Sequence, residues 1–324
     1  MENQEMSFVA GIPTLDIKAF TNGTAQERAQ FVIDLGAAYE SIGFVAIHGH
    51  NIADAVIGDL YTQSQDFFGL PTEVKRAYAR PETKNQRGFV SMGIEHAKDS
   101  EAADLKEFWQ VGQPHPPADA DMAHFPPNHV VEEVPEFKIT SERAFEGLEH
   151  LGQQILRAIA LHLELEETYF ENWVSGGNSI LRAIHYPPIK KEPESAVRAG
   201  QHEDINLITL LVGASASGLE VLRHDDEWIP VTALPEHIVV NVGDMLQRLT
   251  NYKLKSTTHR VVNPPREEWD RPRFSMPFFC HPRPEMRLDA MPHLVPEGTE
   301  PKEGPISAGD YLDQRLQEIG LASK

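Results

Sequence analysis

The spacing of apolar residues predicts helices in the first half of the chain and short strands in the second. Ile12-Pro13-Thr14-Leu15-Asp16-Ile17 opens as a short alternating, strand-like segment. Thr24-Ala25-Gln26-Glu27 has the form of a capping box, in which the threonine and the glutamate satisfy each other's backbone donors. Phe31, Leu35, Ala38 and Ile42 then recur at helical steps, Gly43 ends that helix, and Phe44-Val45-Ala46-Ile47 reads as a strand. A second amphipathic helix is expected over Asp54–Phe68, with Ile57, Leu60, Tyr61, Ser64 and Phe67 on one face. A third is expected from about Ser141 to Leu165, where Leu148, Leu151, Ile155 and Ala158 repeat in the same way. Residues 81–136 carry many Pro, His, Asp and Glu and little periodicity. Such a stretch is expected either to cover a site or to be a plain surface excursion.

The pattern changes after Gly176-Gly177. Short β-like runs follow at Ile180–Tyr186, Ile205–Val212, Leu219–Leu222, Trp228–Val231, Ile238–Val242, Arg260–Val262 and Phe274–Cys280, separated by turn residues such as Asp225-Asp226 and Asn263-Pro264-Pro265. Many short punctuated strands imply a sandwich or barrel. The expected class is α+β, with helices bracing a β-rich core. Residues 1–175 form the helical region with its opening strands, 176–285 the β-rich core, and 286–324 a tail whose Ala308–Ile319 is helical; all belong to one compact unit.

Composition narrows the possibilities. The 324 residues are 40% hydrophobic, enough for a sizeable core, and the formal net charge is −20. A chain this acidic offers no basic face for a phosphate backbone and is repelled by anionic membranes, so neither nucleic acid nor membrane is an expected partner. Oligomeric state is left open. The single cysteine, Cys280, excludes an internal disulfide or a cysteine-based metal cluster, and its place after Phe278-Phe279 predicts a buried thiol. No secretory leader or membrane-spanning run is expected, which makes a reducing cytoplasm the expected compartment.

The candidate chemistry lies in the second half. His202 and Asp204 stand two residues apart just before an apolar run, and alternation on a strand would turn both to one face while Glu203 points away. His259 heads another apolar run. Two histidines and one carboxylate suit iron(II), binding one face of the ion and leaving the other open. A His-x-acid triplet arises by chance about twice in a chain of this composition. His224-Asp225-Asp226 is indeed a second one, in a polar stretch that reads as a hairpin turn. Arg273 and Ser275 are again two apart on a β-like run, a natural clamp for a carboxylate. His48 and His50, beside Gly49, read as turn residues.

With these motifs the chain resembles the iron(II)/2-oxoglutarate-dependent oxygenase superfamily, in its isopenicillin N synthase-like branch. Phe67-Phe68-Gly69-Leu70-Pro71, Asp104–Gly112, Leu181–Pro188 and Asn241-Val242-Gly243-Asp244 fit it too, so the resemblance runs from about residue 11 to 285. It implies a double-stranded β-helix (jelly-roll) core with iron held by His202, Asp204 and His259. It implies that Arg273 and Ser275, with the Tyr186 hydroxyl, hold the distal carboxylate of 2-oxoglutarate. The implied activity is oxidation, first of all hydroxylation, of an unactivated C–H bond of a small molecule by O₂, with release of succinate and CO₂. Phe89 and Phe279 are candidate substrate contacts, and no catalytic side chain is expected beyond the metal centre. The interval from His259 to Arg273 is longer than in many plant members. Asn263–Trp269 is therefore expected to loop out; otherwise Arg271 is the alternative anchor. Ile184 stands where plant relatives often carry Asn. The same motifs leave open an oxidase that needs no 2-oxoglutarate, its clamp holding the substrate's own carboxylate, and a binding protein without turnover.

Overall fold

The computed structural model describes residues 7–322 apart from 10, 98–102, 194–195, 214, 224 and 232–235. β1 (Phe8–Val9) pairs antiparallel with β2 (Ile12–Asp16), and the Asp16 carboxylate accepts from Lys18 N to start α1 (Ile17–Thr21). The Thr24–Glu27 capping box opens α2 (Ala25–Ser41), which buries Phe31, Leu35 and Ala38. Gly43 then reverses the chain. Its φ of +73° lies in the left-handed region, and a Cβ there would sit 2.4 Å from Thr257 Oγ1, so only glycine fits. β3 (Phe44–His48), α3 (Asp54–Phe68) and α4 (Thr72–Ala77) follow.

The expectation of an irregular 81–136 segment is corrected here, because it contains β4 (Gly88–Val90) and β5 (Glu107–Gly112). β5 is buried on both faces, so it shows no alternation, and its charges are hidden in pairs. Glu107 accepts from Lys75 Nζ at 2.6 Å and lies 2.8 Å from His185 Nδ1. α5 (Glu136–His162) starts five residues before the expected Ser141, and α6 (Glu171–Val174) leads to the β-rich half.

There the chain shuttles between two sheets. β6 (Ile180–Tyr186), β8 (Ile208–Val212), β11 (Ile238–Val242) and β13 (Arg273–Cys280) join the large sheet, while β7 (Ala199–His202), β9 (Leu219–Leu222), β10 (Trp228–Pro230) and β12 (His259–Val261) form the small one. This alternation gives a jelly roll. The strand order is β1-β2-β3-β11-β8-β13-β6-β5-β4 in the large sheet and β10-β9-β12-β7 in the small one. The N-terminal strands thus extend both edges of the four-stranded core sheet, and α5 packs across β5, β6, β8 and β13. α7 (Asp244–Leu249) follows β11, and the tail ends in α8 (Ala308–Glu318). Among the described residues no helix is long and apolar enough to cross a membrane.

Candidate active site

β7 and β12 lie side by side with His202 opposite His259, so the sheet register brings the two imidazoles together. Their ring centroids are 4.4 Å apart. Asp204 is not on a strand, which corrects the alternation argument. β7 ends at His202 and the expected Ile205–Val212 strand begins only at Ile208. The intervening loop is tied down instead. Asp244 N donates to Asp204 O at 2.7 Å, and Gly243 approaches Asn206 so closely that a Cβ would sit 2.3 Å from its carbonyl oxygen.

Hydrogen bonds fix which atom of each residue is free. Asp204 Oδ2 accepts from Thr209 Oγ1 at 2.6 Å and from Asn241 Nδ2 at 2.7 Å. Oδ1 is left 3.9 Å from His202 Nε2 and 3.8 Å from His259 Nε2. His202 Nδ1 lies 2.7 Å from Gly200 O and His259 Nδ1 lies 3.1 Å from Thr257 O. A carbonyl oxygen only accepts, so each Nδ1 carries the proton and each Nε2 offers a lone pair. These three residues are the one group among the described residues whose ligand atoms converge as a metal site requires.

Electrostatics agree. Burial and the neighbouring His259 pull His202 below its ordinary pKa. Burial would raise the Asp204 carboxyl, but His259, His202, Asn241 and Thr209 hold it below its usual range. Neutral imidazole and ionised carboxylate are the forms that bind a cation.

The triad opens on a cavity of about 540 Å³. Arg273 and Ser275 line it from β13, and Tyr186 and Ile184 face them from β6 in register. Arg273 is 1% exposed; its Nε donates to Ala216 O at 3.2 Å, and Nη1 is sealed from solvent without a partner. Its guanidinium carbon lies 5.0 Å from the Tyr186 ring centre. Arg271 is exposed and faces Glu268, and Arg266–Glu268 loops out as a short 3-10 turn, so of the two arginines it is Arg273 that lines the cavity. A buried guanidinium with an orphaned donor and no carboxylate partner among the described residues fits an anionic ligand, just as the His-Asp-His donor set fits iron.

Two family models cover most of the chain. Residues 177–282 match the 2OG-Fe(II) oxygenase superfamily, and residues 12–133 match the N-terminal region of a non-haem dioxygenase in morphine synthesis. A 2-oxoglutarate-dependent dioxygenase of Dothideomycetidae sp. is 32% identical over 90% of this chain and 91% of its own length. The chain belongs to the 2OG-Fe(II) oxygenase superfamily. It is an iron(II)- and 2-oxoglutarate-dependent dioxygenase. Among solved structures, a 2OG-Fe(II) oxygenase family protein from Caulobacter crescentus matches with a TM-score of 0.85 and 38% identity, covering 96% of this chain and all of that one. A full-length Neurospora crassa protein, crystallised in complex with alpha-KG and thymine, matches with a TM-score of 0.83 and 31% identity over 94% of this chain and 96% of that one.

The remaining expectations fall out differently. Phe279 lines the cavity. Phe89 does not: its ring is 1% exposed and packs 5.9 Å from that of Phe67, in a cluster with Trp109 and Phe137. β4 pairs with β5 inside the sheet and carries Phe89 into the core, which corrects its assignment as a substrate contact. His224 lies outside the described residues; Asp225 beside it sits exposed in the β9–β10 turn, paired with Arg223. Several cavity residues of this oxygenase were given no role from sequence, chiefly Glu95 and, within segments cited only for the resemblance, Asp104, Lys106, Gln110 and Arg182. For Lys106 and Gln110 the usable signal was their place on either side of the Glu107-Phe108-Trp109 run.

Proposed function

We propose that His202 Nε2, Asp204 Oδ1 and His259 Nε2 hold the iron. On the same reading Arg273 and Ser275, beside Tyr186, bind the distal carboxylate of 2-oxoglutarate. The reaction is hydroxylation of a C–H bond of a small molecule, with release of succinate and CO₂. Bound iron supplies the activation of O₂. The chain's own residues orient and shelter the reactants. Thr209 and Asn241 hold Asp204 Oδ2 so that one carboxylate oxygen faces the centre. The Gly200 and Thr257 carbonyls fix both imidazoles in one tautomer. Leu312, Leu316 and Ile319 of the tail add apolar side chains to the cavity lining.

The observation that carries this reading is the orphaned Nη1 of buried Arg273, in one cavity with three converging ligand atoms. The test is succinate release from purified protein with ferrous iron, 2-oxoglutarate and air, across a small-molecule panel. Some compounds should raise succinate formation well above the uncoupled rate. Oxygen uptake that needs no 2-oxoglutarate and is unchanged in Arg273→Met would overturn it.

A further inference from the structure

The cavity contains two kinds of cation. Arg273 has no carboxylate partner among the described residues. The cations on the β5–β6 wall are matched instead: Lys106 Nζ lies 3.0 Å from Glu95 Oε2 and 2.8 Å from Asp104 Oδ2, and Arg182 Nη1 donates to both Glu95 oxygens at 3.1 Å. All four side chains are buried and line the cavity. Burial would raise the Glu95 carboxyl, but Arg182 and Lys106 hold it down at about 2, so it is ionised near neutral pH. Two positive and two negative charges cancel within the wall.

Arg182 is also fixed in direction. Its guanidinium carbon lies 4.1 Å from the Phe108 ring centre and 5.0 Å from that of Phe279, and Nε donates to Gln110 Oε1 at 3.1 Å. An Arg–carboxylate fork ordinarily uses two nitrogens. Here Nη1 takes both Glu95 oxygens, and Nη2 has no partner among the described residues. Unlike Arg273 Nη1, it is not sealed from the cavity.

We propose that this wall selects a net-neutral substrate with an amide-type edge, a carbonyl oxygen beside an N–H, in preference to a carboxylate. The carbonyl accepts from Arg182 Nη2, the N–H donates to a free lone pair of Glu95, and the Phe279 ring flanks the edge. A carboxylate would either displace Glu95 from Arg182 or remain an uncompensated charge in a poorly solvated site, and both cost more than the contact returns. The inference rests on the oxygenase reading of this cavity and deepens it.

Matched pairs that differ by one carboxylate test it: 2-pyrrolidinone against pyroglutamate, and uracil against orotate. Binding is measured calorimetrically on the full chain with Mn(II) and 2-oxoglutarate present. The neutral member of each pair should bind at least about tenfold more tightly. Glu95→Gln, which leaves the wall with a positive excess, should shrink or reverse that ratio, and Lys106→Met, which leaves a negative excess, should widen it. Equal or tighter binding of the carboxylated members to wild type overturns the proposal. So does failure of both neutral members to bind at 10 mM, or an unchanged ratio in whichever variant folds. Binding of 2-oxoglutarate is read in the same titration. Its absence from wild type would reject the oxygenase reading itself, whereas 2-oxoglutarate binding without the neutral preference rejects only this inference.

Discussion

Replacing Arg273 with methionine should separate ligand binding from stability. The guanidinium is buried, with one bond to Ala216 O and an unpartnered Nη1. A hydrogen bond to a charged group is worth about 1.5–3 kcal/mol, so losing two to a carboxylate removes roughly 3–6 kcal/mol of 2-oxoglutarate binding. At about 1.4 kcal/mol per decade, the affinity should fall by roughly a hundredfold to ten-thousandfold. The unliganded protein should behave otherwise. Methionine loses the bond to Ala216, about 1 kcal/mol, but also removes an orphaned buried donor that costs about 1–3 kcal/mol. The ligand-free melting temperature should therefore hold or rise slightly, while the rise on adding 2-oxoglutarate disappears. Calorimetric titration with Mn(II) under anaerobic conditions, paired with thermal melts with and without 2-oxoglutarate, measures both quantities. Arg271→Met, at an exposed position, is the control and should change neither. An affinity for 2-oxoglutarate within threefold of wild type would refute the assignment of Arg273 as anchor.

Three further outcomes are expected. Asp204→Ala should abolish metal binding and succinate release while the fold persists, and normal turnover in intact variant protein would reject the triad. Phe89→Ala should cost about 3–5 kcal/mol of stability through the cavity it leaves, measured by urea denaturation, with little change in substrate KM in protein that remains folded; a KM effect without a stability effect would return Phe89 to the substrate site. Because the Glu95 pKa falls from 4.5 to about 2 on folding, its contribution is fully present above pH 4.5 and is lost as pH drops through about 2. Denaturation between pH 6 and 3 should show a steeper loss for wild type than for Glu95→Gln, and parallel slopes would contradict the ion cluster.

The sequence was most legible where local rules act alone. The Thr24–Glu27 box and the Asp54–Phe68 helix follow from capping and periodicity, and both occur at those bounds. The three proposed iron ligands were legible as residue types, but their geometry was not. Asp204 reaches its place through a loop held by Asn241, Thr209 and Asp244, all brought in from outside the His-x-Asp motif. β5 was illegible for a related reason. Glu107 pairs with Lys75 and Lys106 with both Asp104 and Glu95, and no local pattern reports the Lys75 and Glu95 pairings, which exist only after folding. Phe89 failed in the opposite sense, since an aromatic ring in a polar stretch looks like a binding residue until β4 carries it into the sheet.

The joining of both halves in one large sheet bears on how the protein can be dissected. A fragment beginning near Gly176 would keep His202, Asp204 and His259, yet it would strip β5 from β6 and β3 from β11. Both flanks of its four remaining strands would then present open backbone donors and acceptors, the template on which sheets of separate molecules join. Such a truncated product should precipitate on expression rather than yield a minimal catalyst, and adding the missing half in trans should recover it only if β3 and β5 re-anneal before the fragment finds another copy of itself.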